Sequence, residues 1–218
     1  MSGRTTRHVI VFAKAPRLGQ VKSRLAAGIG ALAALRFHRE TTQRVVGLLS
    51  RDGRWRTTLA ITPHTPRHGR FWNPELPRLD QGSGDLGRRM ARAFRAPERG
   101  PTIIVGSDIP DLTARHIWAA FRALGDADAV FGPARDGGYW LIGLKRSRPL
   151  PAGLFAGVRW SSPHALADTR ATLPRSYRVE LLEMLDDIDD RTGYERWRAA
   201  EALKKRRRVS SDAPAGGA

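Results

Sequence analysis

The segment Thr102-Ile-Ile-Val-Gly-Ser-Asp-Ile-Pro110 decides the fold of this chain. Its β-branched run over 102–105 is typical of a buried strand, and Pro110 ends that strand. Asp108 therefore lies on the bend just beyond the strand. In open α/β sheets, ligands bind outside the carboxyl ends of the strands. The segment predicts that Asp108 lies where a divalent cation and a nucleotide phosphate would bind.

Strands and helices alternate along the first two thirds of the chain, which predicts an α/β fold with a mostly parallel sheet covered on both faces. Strands are predicted over 8–12, 57–62, 102–105, 129–131 and 139–144, with a further extended segment over 177–182. Helices are predicted over 25–49, 87–94, 113–124, 162–173 and 190–203. We predict a single domain over residues 1–203 and a basic, disordered tail over 204–218.

Length and composition narrow the class of protein. The 218 residues suffice for one substantial domain, and the lack of cysteine excludes disulfides and thiolate metal sites. No apolar stretch approaches the roughly 18 residues of a membrane span, and the polar N-terminus is unlike a signal peptide. We therefore expect a cytoplasmic protein with no membrane partner.

The net charge of +17 raises the hypothesis of nucleic-acid binding. The only dense basic run, however, is Lys204-Lys-Arg-Arg-Arg208, and the other arginines are scattered. A specific nucleic-acid partner is not expected from this distribution. The six histidines show no metal-ligand spacing, and we expect none to be catalytic.

The loop after the first strand, residues 13–25, is rich in basic residues and leads into a helix. Loops of this kind bind phosphates in α/β nucleotide-binding proteins. Gly19 permits a tight turn, and Lys14, Lys22 and Arg24 are candidate phosphate ligands. The alternative is a basic surface loop with no ligand.

A second glycine-rich turn, residues 81–90, also enters a helix. Gly84 lets the backbone approach a base or ribose, and Arg88 or Arg89 reaches a phosphate; we select Arg89 together with Asp85 for nucleotide binding. The alternative is that Asp85 simply caps the helix.

The segment Gly132-Pro-Ala-Arg-Asp-Gly-Gly-Tyr-Trp140 lies between two predicted strands. Asp136 is a candidate to orient an acceptor hydroxyl or to act as general base, and Gly137 and Gly138 leave room for a substrate. Tyr139 and Trp160 are expected on the same acceptor side. The alternatives are an ordinary hairpin turn and, for Trp160-Ser-Ser-Pro163, a helix start.

Four acids stand at positions 186, 187, 189 and 190. In an extended backbone, residues i and i+2 face the same way, so Asp187 and Asp189 can share one cation. With Asp108 they form a candidate site for Mg²⁺ or Mn²⁺, which need only one or two carboxylates beside substrate phosphates. The alternative is capping of the helix that follows.

Several ordered motifs resemble the radical-SAM/selenodomain-associated transferase family, also called arsenosugar biosynthesis glycosyltransferase. They are Phe12-Ala-Lys-Ala-Pro16, Gly19-x-Val-Lys-Ser-Arg-Leu25, Gly84-Asp-Leu-Gly-x-Arg-Met90, Gly106-Ser-Asp-Ile-Pro110, Gly132-Pro-Ala-x-Asp-Gly-Gly-Tyr139 and Trp160-Ser161. The resemblance implies a GT-A, Rossmann-like three-layer sandwich of the nucleotide-diphospho-sugar transferase superfamily, with Asp108 as metal ligand. Two departures are Ser23 and Asp190, where the family has threonine; the second leaves the register of the metal ligands open by one residue.

The first functional hypothesis is a metal-dependent glycosyltransferase with a nucleotide-diphospho-sugar donor and a small-molecule acceptor. The alternative is a nucleotidyltransferase, similar to phospholactate guanylyltransferases, in which a phosphorylated small acceptor attacks the α-phosphate of an NTP and pyrophosphate leaves. Both need the same metal and basic loop. A triphosphate-binding loop is usually richer in glycine than residues 13–19, which favours the first. A non-catalytic nucleotide-binding module is the further alternative.

Overall fold

A seven-stranded sheet forms the centre of the protein, in the order β3-β2-β1-β4-β6-β5-β7. The computed structural model describes residues 5–63 and 71–211, with side chains described as far as Lys204. The strands are β1 (His8–Lys14), β2 (Arg56–Thr62), β3 (Arg78–Asp80), β4 (Thr102–Gly106), β5 (Ala129–Pro133), β6 (Tyr139–Leu144) and β7 (Val179–Leu181). The β6 strand runs antiparallel to β4 and β5, whereas the other neighbouring pairs are parallel.

Helices cover both faces of this sheet. They are α1 (Ser23–Ile29), α2 (Ala31–Ser50), α3 (Leu86–Arg95), α4 (Ala114–Asp126), α5 (Ala165–Ala171) and α6 (Arg191–Ser211). Alternate residues of the central strands pack into separate cores. Val105 packs on the side that holds α2 and α4, whereas Ile104 packs on the side that holds α3. Residues 103–105 of β4 are all apolar because both faces of the strand are buried, and the predicted three-layer α/β sandwich is confirmed.

Helix boundaries differ from the sequence prediction at two places. The helix predicted over 25–49 is two helices, because Gly30 has a φ of 89° and interrupts the helical backbone. The helix predicted to end at Leu203 continues to Ser211. The division into a domain of 1–203 and a tail stays a prediction, and residues 212–218, like His64 and His68, lie outside the described residues.

The sheet topology brings distant loops to one edge. Because β1, β4, β5 and β7 run in the same direction, the loops after their carboxyl ends meet. These loops carry Lys14, Asp108, Asp136 and the pair Asp187 and Asp189. Within the described ranges, no helix is long and apolar enough to cross a membrane.

Candidate active site

Three carboxylates converge at the carboxyl edge of the sheet. Asp108, Asp187 and Asp189 each offer an oxygen, and these oxygens all lie within 4.8 Å of one another. Ile188 is buried at 3% exposure in a small core with Leu25 and Phe37. It anchors the segment so that its two acidic neighbours point away from that core and towards Asp108. An all-oxygen donor set of this kind fits Mg²⁺ or Mn²⁺.

The other two acids of the C-terminal run are engaged elsewhere. Asp186 accepts a hydrogen bond from Arg135 Nε at 2.7 Å. Asp190 Oδ1 accepts one from the backbone N–H of Gly193 at 2.7 Å and so caps the start of α6. The geometry therefore supports Asp187 and Asp189, rather than their neighbours, as the candidate metal ligands.

The Lys22 ammonium bridges two of the three carboxylates. Its Nζ lies 2.7 Å from Asp108 Oδ2 and 2.6 Å from Asp189 Oδ1, and its side chain is only 5% exposed. The residue adopts the left-handed conformation, with a φ of 49°, which costs a non-glycine residue roughly 1–2 kcal/mol. Buried charge and backbone strain together mark Lys22 as a functional candidate. The phosphate role predicted for Lys22 stays a prediction, since its ammonium here contacts carboxylates.

Electrostatic shifts follow from this arrangement. Burial alone would lower the pKa of Lys22, but Asp108 and Asp189 outweigh burial and raise it. Burial would likewise raise the pKa of Asp108, but Lys22 outweighs it and lowers it. For Asp187, burial and then Asp189 and Asp108 outweigh the opposing effect of Lys22 and raise its pKa to about 7. The cluster therefore carries more negative charge than one ammonium neutralises.

A cleft of about 420 Å³, which we call the basic cleft, lies on the Lys22 side of Asp108. Among the predicted nucleotide-binding residues, Lys14, Lys22, Arg24 and Arg89 line it. Gly19, Gly84 and Asp85 lie outside its lining. The Asp85 carboxylate instead accepts the backbone N–H of Arg88 at 2.8 Å, so the capping interpretation is confirmed and its nucleotide role stays a prediction.

Two residues without a predicted role also shape the basic cleft. Gln81 is buried; its Nε2 donates to Ala60 O at 2.8 Å, and its Oε1 accepts from Arg89 Nη1 at 2.9 Å. Gln81 therefore fixes which arginine of α3 turns inward. His38 is buried in the cleft wall with Nε2 3.0 Å from Lys14 O, and burial lowers the pKa of its imidazole. Gln81 directly follows β3, which is the signal that could have found it; His38 shows no such signal.

A second cavity of about 220 Å³, the acceptor pocket, lies on the opposite side of Asp108. Its lining includes Asp136, Gly138, Tyr139 and Trp160, four of the residues predicted for the acceptor side. Asp136 sits on the turn between β5 and β6, where its Oδ1 accepts the backbone N–H of Gly138 at 2.8 Å. The hairpin interpretation is therefore confirmed, and the same turn presents a carboxylate to the pocket.

The prediction that Gly137 leaves room for a substrate is wrong. Gly137 has a φ of 82°, and a Cβ there would lie 2.2 Å from the backbone oxygen of Pro163. Because glycine has no side chain, the β5–β6 turn can pack directly against the Pro163 backbone beside the pocket.

Gly137→Ala should lower the free energy of unfolding by about 1–3 kcal/mol, since the substitution adds a backbone clash to a strained conformation. Gly138→Ala is the matched control, because its Cβ would meet only the Asp136 side chain, at 3.0 Å. Chemical denaturation of both variants measures the difference. Equal losses would show that the close approach to Pro163 is unimportant.

A mostly parallel α/β sheet, with acids at its carboxyl edge and a basic cleft beside them, defines a nucleotide-diphospho-sugar transferase-like fold. The GT-A, Rossmann-like fold predicted from the sequence is confirmed by comparison with solved structures. The chain belongs to the family described as uncharacterized protein conserved in bacteria (DUF2064), whose model matches residues 45–162, just over half of the chain. That region contains Asp108 and Asp136 but neither the Lys14–Arg24 loop nor the C-terminal acids.

Several solved structures have folds similar to that of this chain. A Desulfovibrio desulfuricans protein, which carries the provisional name nucleotide-diphospho-sugar transferase, is 26% identical with a TM-score of 0.79, over 92% of this chain and 97% of that one. CMP:2-keto-3-deoxy-manno-octonic acid synthetase complexed with CTP is 10% identical with a TM-score of 0.59, over 92% and 100%. The 4-diphosphocytidyl-2C-methyl-D-erythritol synthase of Anaerococcus prevotii is 11% identical with a TM-score of 0.57, over 87% and 94%. The last two share only the fold. No curated protein matches the chain.

Proposed function

We propose that this protein is a metal-dependent glycosyltransferase that takes a nucleotide-diphospho-sugar donor and a small-molecule acceptor. One observation carries the proposal: Asp108 lies in the wall of both the basic cleft and the acceptor pocket, beside Asp187 and Asp189. A cation held there would lie between a phosphate-binding cleft and a second substrate. Holding two substrates on either side of one charged centre would favour transfer between them.

The basic cleft supplies the groups for the donor diphosphate. Lys14, Arg24 and Arg89 offer ammonium and guanidinium donors along the cleft, and Gln81 holds Arg89 in place. Mg²⁺ or Mn²⁺ on the three carboxylates would act as a Lewis acid that stabilises the charge on the departing nucleoside diphosphate. The same basic residues would take up part of that charge.

Asp136 is the proposed general base in the acceptor pocket. Its carboxylate would accept the proton of the acceptor hydroxyl as that oxygen bonds to the anomeric carbon of the sugar. The bond between that carbon and the diphosphate oxygen would break at the same time. The nucleoside diphosphate then leaves on the basic-cleft side of Asp108.

Nucleotidyl transfer is the alternative that uses the same groups, with an NTP as donor and pyrophosphate as leaving group. The narrower resemblance to the radical-SAM/selenodomain-associated transferases and the cytoplasmic location both stay predictions.

Thermal unfolding with nucleotides separates these functions. We expect nucleotide-diphospho-sugars with Mg²⁺ or Mn²⁺ to raise the Tm, because a ligand at 100 times its Kd stabilises the native state by about 2.7 kcal/mol. Asp108→Asn should remove the metal-dependent part of that rise, and Asp126→Asn, on an exposed site at the end of α4, is the control. A rise with NTPs alone would favour the nucleotidyltransferase. No rise with any nucleotide would contradict both functions.

The pH dependence of stability should reveal the raised pKa of Asp187. Its folded pKa of about 7 exceeds the ordinary value of 3.8, so the native state holds this proton more tightly than the unfolded chain does. In metal-free buffer, its contribution to stability is therefore present below pH 4 and lost as the pH rises towards 7.

Asp187→Asn cannot ionise, so we expect its free energy of unfolding to rise relative to wild type between pH 4 and pH 7. Urea denaturation across that range, with a chelator present, measures the difference. Asp186→Asn is the neighbouring control. A difference between Asp187→Asn and wild type that stays constant with pH would show that Asp187 ionises normally.

A further inference from the structure

The acceptor pocket is acidic on one side and apolar on the other. Its lining holds fourteen residues, among them Asp108, Asp136, Asp187, Tyr139, Trp140 and Trp160. Three of them carry carboxylates, and none of these described lining residues carries an ammonium, a guanidinium or an imidazole. The basic cleft on the other side of Asp108 has the opposite character, with two lysines and two arginines.

Three basic residues beside the pocket form ion pairs with carboxylates. Lys22 reaches Asp108 and Asp189 from the basic cleft. Arg135 pairs with Asp186 at 2.7 Å, and Arg159 pairs with Asp168 at 2.8 Å. None of these three basic residues is part of the pocket lining.

A bound divalent cation would not reverse this balance. Asp108, Asp187 and Asp189 together carry up to three negative charges, which the two positive charges on the ion and the one on Lys22 would balance but not exceed. Asp136 adds a further carboxylate, and a donor diphosphate adds still more negative charge. A phosphate or carboxylate group in the pocket would meet this charge without a partner, and like charges in contact are strongly disfavoured.

The remaining wall suits an uncharged molecule with hydroxyl groups. Trp160, Tyr139 and Trp140 offer aromatic surface, on which the apolar face of a ring can pack. Asp136 offers carboxylate oxygens that can accept hydrogen bonds from hydroxyl groups. The cavity of about 220 Å³ is small, which limits the ligand to roughly the size of a monosaccharide or smaller polyol.

We propose that the acceptor is a neutral polyhydroxylated molecule, a sugar or polyol without phosphate or carboxylate groups. This inference rests on the proposed function in taking the pocket as the acceptor site. It also separates the two candidate reactions, because a nucleotidyltransferase of the kind considered above would need to place a phosphorylated acceptor in this acidic pocket.

Binding of matched probes tests the charge preference. The pairs are methyl glucoside with glucose 6-phosphate, and glycerol with glycerol 3-phosphate, each titrated into the full-length protein with Mg²⁺ by ligand-observed NMR. We expect the neutral member of at least one pair to bind at least about tenfold more tightly than its phosphorylated partner. Tighter binding of the phosphorylated members, or no binding by either neutral probe, would overturn the proposal.

A charge-inserting variant locates the binding in the pocket. Ser161→Arg places a guanidinium in the lining, and Ser161→Ala is the matched control without charge. We expect Ser161→Arg to strengthen binding of the phosphorylated probes and Ser161→Ala to leave the preference as in wild type. An unchanged preference in Ser161→Arg would place the probes elsewhere and overturn the assignment. The proposed function is tested separately, because it fails if no nucleotide raises the Tm. The probe titrations measure the charge preference of the pocket whatever the outcome of that test.

Discussion

Lys22→Met should lower the free energy of unfolding of the metal-free protein, because it leaves Asp108 and Asp189 without their shared ammonium. Removing one partner of a fully buried ion pair costs about 3–5 kcal/mol. Here the two carboxylate side chains are 33% and 46% exposed, so solvent screening reduces the expected loss to about 1–3 kcal/mol. Methionine keeps the length and apolar packing of the lysine stem, so the loss reports on charge.

The same variant should gain more stability from divalent cations than wild type gains. In wild type, Mg²⁺ or Mn²⁺ must displace the Lys22 ammonium from the carboxylates, whereas in Lys22→Met the site is free of that competitor. Titrating each ion while measuring the Tm gives the affinities. Lys14→Met is the control, since Lys14 lies in the same cleft but is exposed. Equal stabilisation of Lys22→Met and Lys14→Met by the ions would show that these carboxylates do not bind the cation.

The fold was predictable because its signals are local. The β-branched run of β4 is buried on both faces, and its continuous apolar stretch over 103–105 indicates a central strand of the sheet. The end of β4 before Pro110, and the position of acidic residues just beyond the strands, are likewise predictable from neighbouring residues in the sequence. The break at Gly30 was harder to predict, because glycine inside a helical pattern is often tolerated and only the observed φ of 89° decides the matter.

The acidic residues of the candidate site could be predicted from the sequence, but the ion pairs that Lys22 forms with them could not. The i, i+2 spacing of Asp187 and Asp189 indicated that both face one way, and Ile188 between them has the apolar character that such an alternation needs. The partner of Lys22 was not predictable, since Asp108 and Asp189 are 86 and 167 residues away in sequence. A local pattern identifies a basic residue in a loop, but only the packed sheet determines whether a carboxylate or a phosphate is within reach.

The contact made by Gly137 was also not predictable from local sequence. The Asp-Gly-Gly sequence predicts a turn with little side-chain bulk, and such a turn suits both a substrate and a close backbone contact. Pro163, which occupies the space beside Gly137, belongs to the segment before α5 and has no sequence relation to the turn. Only tertiary packing shows that Gly137 lies against Pro163, whereas Asp136 and Gly138 line the pocket.

Asp136→Asn should reduce turnover by about 10²–10⁴-fold, the usual contribution of a general base. Asparagine keeps an oxygen that can accept the backbone N–H of Gly138, so the β5–β6 turn and the pocket should be retained. The amide cannot take the proton from an acceptor hydroxyl. We therefore expect the rise in Tm with donor and metal to match wild type while product formation falls, measured with a neutral acceptor that binds in the probe titrations.

This split between binding and turnover distinguishes Asp136 from Asp108. Loss of Asp108 should abolish metal-dependent donor binding, because its carboxylate belongs to the cluster that would hold the ion. Loss of the Asp136 carboxylate leaves the three cluster carboxylates in place, since Asp136 is not one of them and lies on the β5–β6 turn. Asp126→Asn controls for removing one negative charge at a distant site. If Asp136→Asn turned over at the wild-type rate, another group would have to accept the proton; if it also lost donor binding, Asp136 would act in positioning the metal.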